Sequence, residues 1–512
     1  MHIFLYGPPG SGKSTVGKGL AQSLNLPFFD LDGGFETSVG WSIAQYLNEQ
    51  GELGFREAES ALLKKTVVGE EKVIALGGGS LLQAGNRALA ESTGQVILLE
   101  AELSTLAKRF DYDRDQRPLL AGALETKLTA LLENRGEHYD SFPLRMDSSP
   151  SPEQVSWNIQ RLLGRYHLRG MGVGYDVIVQ EDGIDQLGEM LKARKLGGPV
   201  LVVSDANVAP LFGERVQKSL HTAGYEARQL VVPAGEASKN LDTLAALWRG
   251  SLEAELDRKS TILALGGGVI GDLAGFVAAT FMRGCNWVVV PTTLLAMVDA
   301  SLGGKTGIDL LEGKNLVGAF YPPRLVLADP DVLSTLPERE LRAGLAEVVK
   351  HGVVADPVLF DLCARGWETV TSRLPEVVRR GIAVKARVIE EDPYEQGIRA
   401  VLNFGHTVGH AVELVSGFRL LHGEAVAIGM VAEARFAERL GVADSGMSDA
   451  LARTFLNLGL PVEIPKNLGR NEIINAMKMD KKRTSGVVRF ALPVKIGEVQ
   501  VGVEVESLEQ AL

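Results

Sequence analysis

Ile3-Phe4-Leu5-Tyr6-Gly7-Pro8-Pro9-Gly10-Ser11-Gly12-Lys13-Ser14-Thr15 decides the fold at one end of the chain. Four apolar residues run into a glycine-rich turn, and an amphipathic run over 16–24 follows, which reads as strand, loop and helix. The glycines let consecutive backbone N–H groups turn inward around phosphate oxygens, and the helix N-terminus adds positive potential. Gly10, Ser11, Gly12, Lys13, Ser14 and Thr15 are therefore candidate nucleotide-phosphate contacts, with Lys13 neutralising charge and the Ser14 hydroxyl a ligand for Mg²⁺. A second strand is expected over 28–32. It would deliver Asp30 and Asp32 to the end of a parallel sheet where ligands gather, Asp30 near the Mg²⁺ and Asp32 within reach of an acceptor hydroxyl.

Working outward, Phe55-Arg56-Glu57 falls in a helical segment, and a buried strand from Val73 ends in Gly77-Gly78-Gly79. Arg117-Pro118-Leu119-Leu120 follows a polar run, 111–116, that reads as a lid, and Arg135 precedes His138-Tyr139 on the next helix. With these motifs in this order, residues 1–165 resemble shikimate kinase. The resemblance implies that Asp32 orients or deprotonates the hydroxyl that is phosphorylated, that Arg56 and Arg135 clamp the substrate carboxylate, and that Gly78 supplies a backbone contact. It further implies ATP with Mg²⁺, and Arg117 against the transferring phosphoryl group. Bidentate arginines suit a carboxylate, and phosphoryl transfer relies on positioning and charge neutralisation. Gly33-Gly34-Phe35-Glu36 departs from the family pattern. The alternatives are another nucleoside-monophosphate-type kinase, which would not need the Gly77–Gly79 turn, and a nucleotide-sensing module without turnover.

At 512 residues the chain is too long for one core, and roughly three units are expected. Apolar residues make up 45% and charged residues 23%, a globular mix. The net charge of −11 argues against a general nucleic-acid or membrane-surface binder, so anionic small molecules must be held by local lysines and arginines. Cys285 and Cys363 imply no disulfide framework and fit a reduced cytoplasmic setting. No targeting signal and no apolar run of membrane-spanning length is visible, so a soluble protein is expected.

After a short linker over 164–174, buried strands from Val200 and Leu230 alternate with helices, and 261–265 runs into Gly266-Gly267-Gly268-Val269-Ile270-Gly271-Asp272. This alternation argues for a parallel sheet with helices on both faces and a dinucleotide at the glycine turn. From about Leu336 the pattern changes to long helices, expected over 341–354, 376–391, 403–414 and 424–440. The fold class is thus α/β: a P-loop kinase-like domain over 1–165, a dinucleotide-binding domain over 170–335, and a mostly helical metal- and substrate-binding domain over 336–512, with the cleft between the last two as active site.

Within the helical part, Leu402-Asn403-Phe404-Gly405-His406-Thr407-Val408-Gly409-His410 places two imidazoles one turn apart on one helix face, and Leu421-His422-Gly423-Glu424 follows. Such a pair could share a metal with His422 and a distant carboxylate, for which Glu347 is the best candidate. Five of the eight histidines lie in the C-terminal two thirds. Lys239, Arg283, Lys305, Lys314, Lys350, Lys385, Arg399 and the pair Lys481-Lys482 supply positive charge, several of them in apolar or glycine-rich settings.

Together with Pro233-Ala234-Gly235-Glu236, Met282-Arg283-Gly284, Pro291-Thr292-Thr293-Leu294-Leu295-Ala296, Val298-Asp299, Gly303-Gly304-Lys305-Thr306-Gly307 and Lys314-Asn315, these segments resemble 3-dehydroquinate synthase over 170–512. Ala234 stands where that family often has Asp. The resemblance implies NAD held by Asp205, Asn207, Glu236, Lys239, Gly268, Val269, Ile270, Gly271, Asp272, Thr292, Thr293, Lys305 and Lys314. Zinc or another divalent metal would be held by Glu347, His406 and His422. The substrate would be held by Asp299, Lys305, Asn315, Lys350, Lys385, Arg399, Asn403 and His410 with a lysine of 481–482, and Lys350, Lys385, Asn403 and His410 would serve catalysis. His410 then handles protons and is not a ligand. Arg283 would reach into a neighbouring subunit, implying a homodimer. Competing readings are a metal alcohol dehydrogenase of the glycerol dehydrogenase kind and an inactive metal-binding scaffold.

Overall fold

The computed structural model describes residues 1–112, 124–483, 488–505 and 508–512. They form two compact units, Met1–His167 and Leu168–Leu512. Among the described residues no helix is long and apolar enough to cross a membrane.

In the first unit the strand His2–Tyr6 is the centre of a five-stranded parallel sheet. Val73–Ala75 and Gly94–Glu100 flank it, and Phe28–Asp30 and Arg145–Asp147 lie outermost. It is buried along its whole length, so both faces are apolar. The pleat sends Ile3 and Leu5 to a layer with Val16, Leu20, Val155 and Ile159, and Phe4 and Tyr6 to one with Leu31, Leu63, Tyr139 and Phe142. Where the strand ends, Gly7, Gly10 and Gly12 have φ of 144°, 80° and 85°, backbone that other residues rarely adopt, and the helix Lys13–Ser23 starts.

The expected strand over 28–32 stops at Asp30. That residue instead caps the helix Leu31–Val39, accepting from the Gly33 N–H at 3.2 Å, which puts Asp32 in the helix's first turn. Gly34 faces the Phe29 ring, where a Cβ would overlap it, and this accounts for the glycine-rich departure after Asp32.

In the second unit, parallel strands run in the order Tyr175–Val179, Leu325–Ala328, Asn286–Pro291, Thr261–Gly266, Val200–Asp205 and Ala227–Val232. The chain lays down Val200–Asp205, steps outward to Ala227–Val232, and returns on the other side with Thr261–Gly266. The order therefore reverses between Val200–Asp205 and Thr261–Gly266, and in open sheets of this kind ligands bind at the C-terminal ends of the strands at such a reversal. There the Gly267 turn starts the helix Gly268–Thr280. An antiparallel hairpin, Lys305–Leu310 with Gly313–Phe320, follows.

The remainder includes the helices Glu338–Ala355, Leu374–Glu391, His406–Val415 and His422–Arg439. Two sequence expectations are corrected. The stretch read as a linker contains the strand Arg165–Leu168. Asn403 does not start a helix: it ends the 3₁₀ segment Ile398–Asn403, because Gly405 turns the backbone to φ 82° and the α-helix begins at His406.

Candidate functional sites

A cleft of about 660 Å³ in the first unit is lined by Lys13, Ser14, Asp30, Asp32 and Gly78, among others. The Lys13 ammonium donates to the carbonyls of Gly7 (3.0 Å) and Pro8 (2.9 Å), and Ser14 Oγ donates to Asp30 Oδ2 at 2.5 Å. A hydroxyl and a carboxylate held together at a phosphate-loop helix start are hard oxygen ligands of the kind Mg²⁺ takes. Arg56 and Arg135 converge on the glycine turn: Arg135 donates to the Gly78 carbonyl at 2.6 Å, and a Cβ at Gly79 would come within 2.8 Å of the Arg56 guanidinium. Two residues passed over in the sequence complete the site. Buried Glu59 accepts from Arg56 (2.8 Å) and from the Ser80 hydroxyl, and Arg109 donates to the Ser148 carbonyl (2.5 Å) and the Gly10 carbonyl (3.4 Å). Both look like ordinary helix-surface charges in one dimension. Arg117 lies outside the described residues.

At the reversal point of the second sheet, Asp205 accepts from the N–H groups of Asn207 (2.8 Å) and Val208 (3.1 Å). Lys239 is 4% exposed and lies 3.2 Å from Glu236, 3.0 Å from Asp272 and 3.5 Å from Asp309, with Asn315 Oδ1 at 2.5 Å. Burial lifts Asp272 to about 6 despite Lys239, while Asp272 and Glu236 raise Lys239 against its own burial. Three carboxylates around one ammonium leave excess negative charge, so the lysine is the member that stays charged. The Thr292 hydroxyl is buried without a partner among the described residues, and Thr293 accepts from the Ala296 N–H at 3.1 Å. Asp309, another residue passed over, holds the Asn315 N–H at 2.8 Å, fixing Asn315 at φ 56°.

Glu347 is wholly buried in the helix Glu338–Ala355. Its Oε1 lies 3.4 Å from His406 Nε2 and 3.5 Å from His422 Nε2. Among the described residues neither carboxylate oxygen has a partner in hydrogen-bond geometry, although Lys350 is in ion-pair contact with it. The two imidazoles are turned by their other nitrogens: His406 Nδ1 lies 3.2 Å from the Phe404 carbonyl, and His422 Nδ1 lies 3.1 Å from Glu413. Lys350 and the two imidazoles hold Glu347 well below the usual carboxylate range against its burial, and Glu347 and Glu413 push His422 up to about 9. The pocket therefore draws positive charge to the point where a carboxylate and two Nε2 atoms meet, and this donor set fits a zinc-like divalent ion.

The His406 and His410 rings are 4.9 Å apart, as the spacing requires, and His410 is exposed at the rim. Ligand atoms also gather in two other sets, His406 with His410 and His422, and Asp299 with Glu347 and His351. Asp299 in the second set is already paired with Lys385, and Lys350 sits on Glu347 in either case, so the two Nε2 atoms facing Glu347 make the Glu347–His406–His422 junction the better cation site.

Other expected anion contacts are distributed through the unit. Lys305 pairs with Glu395, Lys314 lies 3.3 Å from Glu413, and Arg399 is buried against Gly303 and donates to the Pro393 carbonyl at 2.7 Å. Asn403 is exposed. Arg283 is exposed at φ 67° and makes no ion pair among the described residues. Lys481 and Lys482 fall in the helix Arg470–Arg483, their side chains outside the described residues.

Residues 229–343 match the family model of the 3-dehydroquinate synthase N-terminal part and 344–483 that of its C-terminal part. The 3-dehydroquinate synthase of Symbiobacterium thermophilum is 51% identical over 306 residues, 59% of this chain and 86% of that protein. The chain belongs to the 3-dehydroquinate synthase family. Residues 9–163 match the shikimate kinase family model, so a shikimate kinase domain precedes the synthase and the chain is a bifunctional enzyme of the shikimate pathway. Among solved structures, 2-epi-5-epi-valiolone synthase of Streptomyces hygroscopicus subsp. jinggangensis, with NAD⁺ and Zn²⁺ bound, is 30% identical, with a TM-score of 0.61 over 66% of this chain and 95% of that one. A 2-deoxy-scyllo-inosose synthase complexed with carbaglucose-6-phosphate, NAD⁺ and Co²⁺ is 26% identical, with a TM-score of 0.62 over 68% and 98%.

Proposed function

We propose that the kinase unit transfers the γ-phosphoryl group of ATP to shikimate, forming shikimate 3-phosphate, with Mg²⁺ at Ser14 and Asp30. In the same reading the synthase unit uses NAD and zinc to convert 3-deoxy-D-arabino-heptulosonate 7-phosphate to 3-dehydroquinate and phosphate. The observation that carries the synthase half is the convergence of Glu347, His406 and His422 beside the buried ammonium groups of Lys350 and Lys385.

A zinc ion bound there would polarise a substrate hydroxyl and lower its pKa, easing loss of hydride to NAD. The residues around it do the rest. Lys239 and Asp272 hold the nucleotide end, where the strand order reverses. Lys305, Lys385 and Arg399 are placed to bind phosphate and carboxylate oxygens, exchanging their present partners for the ligand. Once the hydroxyl is a ketone, the neighbouring C–H is acidic and phosphate can leave; His410 at the rim can pass the proton. The hydride then returns to the carbon skeleton, the ring opens, and an internal aldol closes the carbocycle, so no NADH accumulates.

In the kinase unit Asp32 faces the hydroxyl acceptor while Arg56, kept in place by Glu59, and Arg135 take the carboxylate. Arg117 belongs to this reading as the charge against the moving phosphoryl group. The two reactions are not consecutive in the pathway, and the two sites work independently. We assign the protein to the cytoplasm, with small-molecule substrates and neither nucleic acid nor membrane as partner. The synthase unit pairs as a homodimer through which Arg283 reaches the other copy; exposed Leu310, Leu311, Leu316 and Val317 on the hairpin supply apolar surface for it.

The test supplies the purified chain with NAD and the heptulosonate phosphate and follows phosphate together with absorbance at the NADH wavelength. Phosphate release without net NADH supports the synthase reading. Stoichiometric NADH without phosphate would favour a dehydrogenase of the glycerol dehydrogenase kind.

A further inference from the structure

Glu433 is fully buried on the helix His422–Arg439, about three turns beyond His422. Its carboxylate does not serve its own helix. Oε2 accepts from the Gly405 N–H at 2.6 Å and Oε1 from the Val408 N–H at 2.9 Å, both at the start of the helix that carries His406 and His410. That helix start has no cap of its own, because its N-cap is Gly405 and no side chain of the local sequence reaches the free N–H groups. A carboxylate from the second histidine's helix takes that place.

The two helices touch backbone to backbone. A Cβ at Gly429 would overlap the Gly405 carbonyl, and one at Gly409 would come within 3.0 Å of Val426 Cα. Around these close approaches Val408, Ala411 and Val412 of the one helix pack with Ala425 and Ile428 of the other in one apolar cluster. Apolar packing has no direction, whereas the two-pronged bond from Glu433 ties the backbone of the His406 turn to the helix of His422 at fixed distances. Burying a carboxylate in a core is costly unless its oxygens are paired, and an apolar residue would suffice for packing alone.

We propose that Glu433 is a positioning residue of the metal centre, holding His406 at the distance from His422 and Glu347 that a divalent ion needs. This rests on the reading that Glu347, His406 and His422 bind such an ion. Glu433→Gln keeps the shape but turns an amide N–H toward one of the two backbone donors, so one prong is lost and the start of the His406 helix shifts.

Cobalt(II) is the probe, added to the full-length chain freed of metal and titrated against a chromophoric chelator. Wild type is expected to bind one cobalt per chain with a visible ligand-field spectrum. Glu433→Gln is expected to bind cobalt about 10- to 100-fold more weakly with a shifted spectrum. Its NAD affinity and shikimate phosphorylation should stay at wild-type values, and its unfolding midpoint in excess chelator should fall only by the loss of one buried hydrogen bond. Cobalt affinity and spectrum unchanged in Glu433→Gln would overturn the proposal. So would a loss of affinity matched by equal losses in NAD binding and unfolding midpoint, since a general packing role gives that pattern. Failure of wild type to take up cobalt would instead remove the metal reading, and this proposal with it.

Discussion

Glu413 Oε2 lies 3.1 Å from His422 Nδ1, which orients the ring so that Nε2, 3.5 Å from Glu347, is the nitrogen left to face a cation. The same carboxylate takes Lys314 at 3.3 Å, whose ammonium also sits 4.1 Å from the centre of the Phe418 ring. One side chain thus joins a metal-ligand candidate to a dinucleotide-binding candidate. Outer partners of this kind raise ligand basicity and fix tautomer.

Glu413→Gln should therefore weaken metal binding about 10- to 100-fold while leaving the ligand set intact. Competition with a chelator of known affinity measures it. Wild-type metal affinity in the variant would show that the contact orients nothing.

Lys350 and Glu347 form an ion pair with both side chains essentially out of solvent. Lys350→Met leaves the carboxylate charge uncompensated in the core, and breaking such a pair costs about 3–5 kcal/mol. Urea unfolding of the synthase unit in excess chelator should show that loss, and Lys350→Met with Glu347→Gln should recover a large part of it. A double variant no more stable than the single one would contradict the pairing.

His351 is buried with neither ring nitrogen partnered among the described residues, and burial followed by the nearby Lys350 pushes it down from 6.5 to about 3. The folded state keeps it neutral, whereas the unfolded chain takes up a proton below about 6.5. Its contribution is therefore intact above pH 6.5 and lost as pH falls toward 3, with a slope of at most about 1.4 kcal/mol per pH unit. His351→Phe should flatten the acid side of the stability profile in that window. Identical acid limbs for the two proteins would rule this out.

Asp32→Asn should lower shikimate phosphorylation at least about 100-fold, the size expected for a lost proton-handling group, and leave phosphate release from the heptulosonate phosphate unchanged. His406→Ala should do the reverse. Parallel assays of both reactions on each variant decide it, and loss of both activities in either variant would overturn the independence of the two sites.

Much of this was legible in one dimension because local rules carry it. The phosphate loop needs glycine at φ values that only glycine adopts easily, and the His406–His410 spacing brings two rings to one helix face whatever surrounds them. Asp32 was placed one element too early, since Asp30 is as good a helix cap as a strand end and tertiary context chose the cap. Asn403 was placed on a helix because nothing in Leu402-Asn403-Phe404 announces the 3₁₀ turn that Gly405 completes. Glu59, Glu413 and Glu433 were invisible for a different reason. Each is a glutamate in an amphipathic helix, where a solvated face is the ordinary reading, and only the packing of a remote segment turns it into an acceptor for an arginine, an imidazole or a helix start.

The most direct measurement is metal content beside turnover: elemental analysis of the full-length chain and of His406→Ala, with heptulosonate-phosphate-dependent phosphate release followed through chelation and zinc return. One divalent ion per chain in wild type, none in His406→Ala, and release that stops on chelation and resumes with zinc is the expected result. Metal-free protein that releases phosphate at the full rate would contradict it.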